Sequence, residues 1–167
     1  MFDTVLIAGL GLMGGSMAKT IKARTLSRVL GWNRTRATAE QALADGSIDA
    51  IATEALYKEA DLVIIGLYPQ ATVDWLLENM PKMKKGCVIV DMVGVKQFMV
   101  DHLEQAALDA GVHYVGGHPM AGREFSGLDY SLPTLFDGAS MIFVPTKSST
   151  ERVLEQLEAY FMSLGFG

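Results

Sequence analysis

Residues 5–21 read VLIAGLGLMGGSMAKTI, a run suited to a strand, then Gly9, Gly11, Gly14 and Gly15, then a run suited to a helix. Glycine costs roughly 1 kcal/mol relative to alanine inside a helix, so the cluster needs a reason. In a strand–turn–helix unit Gly9 permits a tight bend. Gly11 lets the backbone approach a pyrophosphate, and Gly14 lets the helix sit close against the strand. The helix N-terminus then presents unpaired N–H groups and a positive dipole end to an anion. Such spacing also arises for packing alone, but inside a βαβ unit it points to a dinucleotide. The expected contacts to it come from Gly9, Leu10, Gly11, Leu12, Met13 and Gly14.

Outward from this unit, strand and helix patterns alternate. The turn is preceded by a strand at residues 4–8 and followed by a helix that places Met13, Met17 and Ile21 on one face. A strand at 28–32 leads into a helix at 35–44, with Ala39, Ala42 and Leu43 inward and Gly46 just beyond. A weak strand near 50–52 comes next. DLVIIGL at 61–67 is apolar along almost its whole length, as expected for a central parallel strand covered on both faces. Pro69 suits a helix start, with Val73, Leu76, Leu77 and Met80 inward and Pro81 as the stop. CVIVDM at 87–92 is another buried strand, and the following helix spaces Phe98, Met99, His102, Leu103, Ala106 and Ala110 before Gly111. VHYVGG begins a further strand. Residues 118–138 lack periodicity and suggest a long functional loop with some short helix. SMIFVP forms a last strand, and Ser148 with Glu151 suggests a capping box for a helix burying Val153, Leu154, Leu157, Tyr160, Phe161 and Leu164. This alternation predicts an α/β fold, one doubly wound parallel sheet with an irregular or antiparallel edge.

The 167 residues, half of them hydrophobic, suffice for one core and favour one domain over residues 1–167. No apolar stretch reaches the roughly 18 residues of a membrane span, and no secretory leader pattern opens the chain, so a cytoplasmic location is expected. The net charge of −5, with scattered lysines and arginines, gives no electrostatic footprint for nucleic acid. Three histidines and one cysteine at unrelated spacings give no metal-site pattern. Cys87, within an apolar run, reads as a small buried hydrophobe.

The end of the second strand selects among dinucleotides. An acidic residue there would accept from the ribose hydroxyls, but the chain has GWNRTR, with Asn33, Arg34 and Thr35. A guanidinium can pair with a 2′-phosphate and stack on adenine, which favours NADP over NAD. Arg34 and Arg36 also fit solvated residues at a helix start, and NAD can bind without the acid. Leu67, Tyr68, Pro69 and Thr72, after the central strand, complete the expected cofactor wall.

A nicotinamide enzyme also needs a group that moves a proton. His118 follows the strand ending in Gly116-Gly117 and opens the irregular loop, near the carboxyl ends of the strands, which makes it the leading candidate. His102 on a helix face and His113 at a strand start suit packing or solvent. At GGHPMAGREFSG, residues 116–127, the chain resembles the prephenate and arogenate dehydrogenases of tyrosine biosynthesis. The resemblance runs over essentially the whole chain and implies a Rossmann-like NAD(P)-binding domain. It implies hydride transfer to the nicotinamide coupled to loss of carbon dioxide, with His118 taking the hydroxyl proton. Glu124 matches an acidic position beside the site, although a solvated loop carboxylate explains it equally well, and Ser126 follows in the same segment.

Two departures from the family stand out. It commonly reads Asp-x-Gly-Ser-x-Lys after the fifth strand, whereas DMVGVK places Gly94 at the serine position and Lys96 at the lysine. The family also carries a carboxyl-terminal helical domain that builds a homodimer and supplies an arginine for the substrate carboxylate, and no such domain is expected within this chain. A β-hydroxyacid dehydrogenase, a pyrroline-carboxylate reductase, or a non-catalytic NAD(P) sensor are the alternatives.

Overall fold

The computed structural model describes residues 2–122 and 125–167. Seven strands form one sheet in the order β3-β2-β1-β4-β5-β6-β7. They are β1 (Thr4–Ala8), β2 (Arg28–Trp32), β3 (Ala50–Ile51), β4 (Leu62–Ile65), β5 (Val88–Asp91), β6 (His113–Pro119) and β7 (Met141–Val144). The first six pair in parallel, and β7 joins β6 antiparallel. The order 3-2-1-4-5-6 is that of a Rossmann-like doubly wound fold.

Both faces of the sheet are covered, which is why its central strands are apolar at consecutive positions. Val5 and Ile7 of β1 pack with α1 (Leu12–Arg24), α2 (Arg36–Ala44) and α6 (Glu151–Ser163). Leu6 and Ala8 pack with α3 (Glu54–Tyr57), α4 (Pro69–Asn79) and α5 (Lys96–Ala110). Cys87 is fully buried, and burial pushes its thiol up to about 12, so it packs as an inert hydrophobe.

Several local expectations are corrected. Leu43 and Leu77 are 42% and 45% exposed, because α2 needs only Ala39 and Ala42 against the sheet and Trp75 joins Val73 and Leu76 in the core on α4. Pro81 does not stop α4 directly; the helix ends at Asn79 and Pro81 sits within a 3-10 turn, Met80–Lys82. The cap of α6 is Thr150, whose side chain accepts from the Val153 N–H. Ser148 is buried instead, where its hydroxyl accepts from the Tyr114 N–H at 2.9 Å. His102, read as suiting packing or solvent, is exposed on α5, with Nδ1 2.8 Å from the Phe98 carbonyl.

Candidate active site: a glycine-walled cleft and a clamped histidine strand

The sheet has its topological switch at β1, which pairs with β2 on one side and β4 on the other. Crossovers leave in opposite directions there, opening a crevice at the carboxyl ends of the strands. Gly9 has φ +95°, and its N–H donates to the Trp32 carbonyl at 2.8 Å, tying the turn to the end of β2. A Cβ at Gly14 would lie 1.7 Å from the Gly9 carbonyl oxygen, and one at Gly9 would lie 2.7 Å from that of Gly66. Turn, helix and β4 therefore approach one another as only glycines allow. At Gly11 a Cβ would meet nothing within 4 Å, since this glycine faces open space.

That space is a cleft of about 790 Å³, within the size range of cofactor sites. Of the expected cofactor residues, Gly9, Gly11, Leu12, Met13, Asn33, Arg34, Leu67, Tyr68 and Pro69 line it, as do Gly94 and Ser126 from the expected substrate side. Leu10, Gly14 and Thr72 are buried behind this wall, and Thr35 starts α2 beside it. Thr72 donates its hydroxyl to the Leu67 carbonyl at 3.1 Å, which holds the wall in place. Asn33 likewise braces the turn, because its Oδ1 accepts from the Leu10 N–H at 2.9 Å and its Nδ2 donates to the Thr35 carbonyl at 3.0 Å. Arg34 makes no ion pair among the described residues, whereas Arg36 pairs with Glu40 at 3.2 Å. Glu124 lies outside the described residues.

Gly66, Met92, Val93, Val95 and Phe125 also line the cleft and were not singled out from sequence, while Gly127, at the end of the GGHPMAGREFSG segment, lines it as well. The first four directly follow β4 and β5, so the preference of ligands for the carboxyl ends of strands was the signal available.

His118 does not open a loop after Gly117. It lies inside β6, which continues to Pro119 because its last four residues pair antiparallel with β7. The parallel ladder with β5 ends at Val90↔Val115, so β6 changes partner just before the histidine. Its ring backs onto Gly94, where a Cβ would lie 3.1 Å from Cε1 and 3.4 Å from Nδ1. Nδ1 is buried with no hydrogen-bond partner among the described residues. Lys96, grouped with Gly94 from sequence, does not line the cleft; it turns toward Asp91, 2.8 Å away, and the Gly117 carbonyl. Burial pushes the Asp91 carboxyl up and the Lys96 ammonium down from their ordinary ranges, and their mutual attraction opposes both shifts.

The prephenate dehydrogenase nucleotide-binding domain model matches residues 17–166. The chain belongs to the prephenate dehydrogenase family. The match begins within α1, so the glycine turn lies outside it and stands on its own geometry. The chain is similar to the prephenate dehydrogenase of Bacillus subtilis, 36% identical over 95% of this chain and 43% of that protein. Among solved structures, A. aeolicus prephenate dehydrogenase in complex with hydroxyphenyl propionate and NAD+ superposes with a TM-score of 0.89 at 27% identity, over 100% of this chain and 59% of that one. Synechocystis arogenate dehydrogenase gives 0.88 at 25% identity, over 98% and 58%. The chain thus spans about half the length of its family relatives and represents the family's nucleotide-binding domain in a tyrosine-biosynthesis context.

Proposed function

We propose that this chain is the cofactor-binding and proton-transferring half of an enzyme that oxidatively decarboxylates prephenate to 4-hydroxyphenylpyruvate, or arogenate to tyrosine. The observation that carries this is His118, whose buried Nδ1 has no hydrogen-bond partner among the described residues and whose ring packs directly behind Gly94, itself part of the wall of a glycine-rich cleft. A neutral imidazole can accept a proton at one ring nitrogen and later return it, which is the exchange this reaction needs.

The cleft fits a dinucleotide. Helix α1 begins with no side-chain cap and no acidic residue in its first turn, which leaves backbone N–H groups at Leu12 and Met13 for a pyrophosphate. Gly11 adds a bare surface for its approach. Arg34 at the rim favours NADP, since its guanidinium is free to pair with a 2′-phosphate. When bound, the nicotinamide supplies the hydride acceptor. His118 takes the proton from the substrate hydroxyl as the carbon bearing it gives up hydride. The carboxylate leaves as carbon dioxide, its bonding electron pair stays to complete the aromatic ring, and His118 returns the proton to the ring oxygen. Ser126, also on the cleft wall, stands on the substrate side with Gly94. A further helical domain of the intact polypeptide would close the pocket, hold the substrate carboxylate and form a homodimer.

Calorimetric titration with both cofactors, alongside turnover of prephenate and arogenate by the intact polypeptide, tests this function. NADP should bind more tightly than NAD, and Arg34→Ala should weaken NADP about tenfold while leaving NAD nearly unchanged. Tighter NAD binding would overturn the cofactor preference, and absence of turnover with either substrate would overturn the activity.

A further inference from the structure

Where β6 leaves β5 to join β7, one ion pair replaces the lost backbone ladder. Asp91 closes β5, one step past the Val90↔Val115 pair. Its Oδ1 accepts the Gly117 N–H at 2.8 Å, a bond that a strand carbonyl would otherwise supply. Lys96 Nζ donates to the same Oδ1 at 2.8 Å and to the Gly117 carbonyl at 2.6 Å. Both backbone groups of Gly117 are therefore held by one carboxylate–ammonium unit, immediately before His118.

The surroundings are shaped for this unit. A Cβ at Gly117 would lie 2.4 Å from the Asp91 carbonyl oxygen, and one at Gly116 would lie 3.0 Å from Lys96 Cδ. The glycine pair thus admits both the close approach of β6 to the end of β5 and the lysine chain packed over it. Asp91 is fully buried. The Tyr114 phenol on the same face of β6 is pushed far above its ordinary range, first by burial and then by the Asp91 carboxylate. Asp91 Oδ2 and the Tyr114 hydroxyl, both buried, make no hydrogen bond of normal geometry among the described residues. A buried pair of this kind adds little net stability compared with an apolar replacement, so its presence calls for another role.

We propose that Asp91 and Lys96 are positioning residues, a side-chain clamp on Gly117 that fixes where His118 stands relative to the cleft. This rests on the assignment of His118 as the proton-transferring group, but the clamp itself can be read without turnover. In Lys96→Met the Gly117 amide should exchange with solvent at least about tenfold faster, while the Val90 and Val115 amides in the neighbouring ladder keep their protection. The His118 ring resonance, assigned by its loss in His118→Asn, should move, with those of His102 and His113 unchanged. In the intact polypeptide kcat should fall about 10²-fold, as misplacement of a reacting group predicts, with cofactor affinity within twofold of wild type and an altered acid limb of the pH–rate profile.

Asp91→Asn/Lys96→Met, which removes both charges and leaves no lone buried ion, provides a second variant should the first fold poorly. It should show the same displaced His118 resonance and the same fall in kcat. Uniform loss of protection across β5 and β6, or an unmoved His118 resonance in a well-folded variant, would overturn the clamp. If wild type turns over neither substrate while Gly117 and His118 respond as described, the function fails and the clamp stands.

Discussion

The glycine turn that lines the cleft and the strand end packed behind Gly94 are held by opposite means. The glycine turn between β1 and α1 is fixed by backbone: the Gly9 N–H on the Trp32 carbonyl, contacts that only glycines permit, and one neutral side chain, Asn33. Among the described residues no charged group takes part. The end of β6 is fixed by a buried ion pair, Asp91 and Lys96, on both backbone groups of Gly117. An anion can be held by N–H groups that a helix terminus already presents, so close packing suffices on the cofactor side. An imidazole that is to move a proton, as proposed for His118, must be placed by its own strand, and that strand loses its parallel ladder just before His118. Side chains have to take over there.

Removing one partner of the ion pair should show the largest effect. Asp91→Ala leaves Lys96 buried without its carboxylate and should cost about 3–5 kcal/mol in urea unfolding, whereas Asp91→Ala/Lys96→Met should recover most of that loss. Equal destabilisation by both variants would mean that packing, and not charge, holds this side. On the glycine side, Gly14→Ala drives a methyl into the Gly9 carbonyl and should cost about 1–3 kcal/mol. Gly11→Ala is the sharper counterpart. With open space around it and a negative φ, stability should hold or rise by up to about 1 kcal/mol, while cofactor affinity drops. A Gly11→Ala protein that binds cofactor normally would show that the bare face is not where the pyrophosphate approaches.

The smallest effect is expected far from the cleft, where Asp61 accepts the Thr4 N–H at 2.9 Å and pairs with Lys84. Burial pushes its carboxyl up, but the Lys84 and Thr4 hydrogen bonds and the Lys84 charge outweigh that and leave it below its ordinary value. A depressed carboxyl stabilises the fold above its unfolded pKa, about 3.9, and loses that contribution as pH falls through its folded value. Asp61→Asn should therefore cost under about 1 kcal/mol at neutral pH, and the difference from wild type should vanish in stronger acid. A difference that persisted in acid would assign the effect to packing.

What sequence revealed follows the same division. The glycine turn, the central strands and the alternation with helices were legible because each is a local pattern: Gly9 to Gly14 in one stretch, and apolar runs such as LVII and VIVD. The clamp was not, since Asp91 is a single carboxylate within the apolar run CVIVDM, and Gly117 meets it only across the sheet. The continuation of β6 through His118 was hidden for the same reason: Gly-Gly-His-Pro has no strand periodicity, and its pairing with β7 is set by residues more than twenty positions away. Ser148 suggested a helix cap from spacing alone, but it is drawn inward by the Tyr114 backbone, and Thr150 takes the cap. Leu43 and Leu77 show the limit of helical periodicity, which marks a face without saying how wide the neighbouring surface is.

The central claim is that His118, on the clamped side, moves the proton while the glycine side only binds. The most direct measurement is the pH dependence of kcat for the intact polypeptide with prephenate or arogenate, in wild type and His118→Asn, with cofactor affinity titrated in parallel. Wild type should lose rate in acid, as a reaction that needs a free general base does. His118→Asn should lose about 10²- to 10⁴-fold in kcat at neutral pH and bind cofactor as wild type does. A His118→Asn enzyme with near-normal kcat and an unchanged acid limb would contradict the assignment and leave the histidine a packing residue of β6.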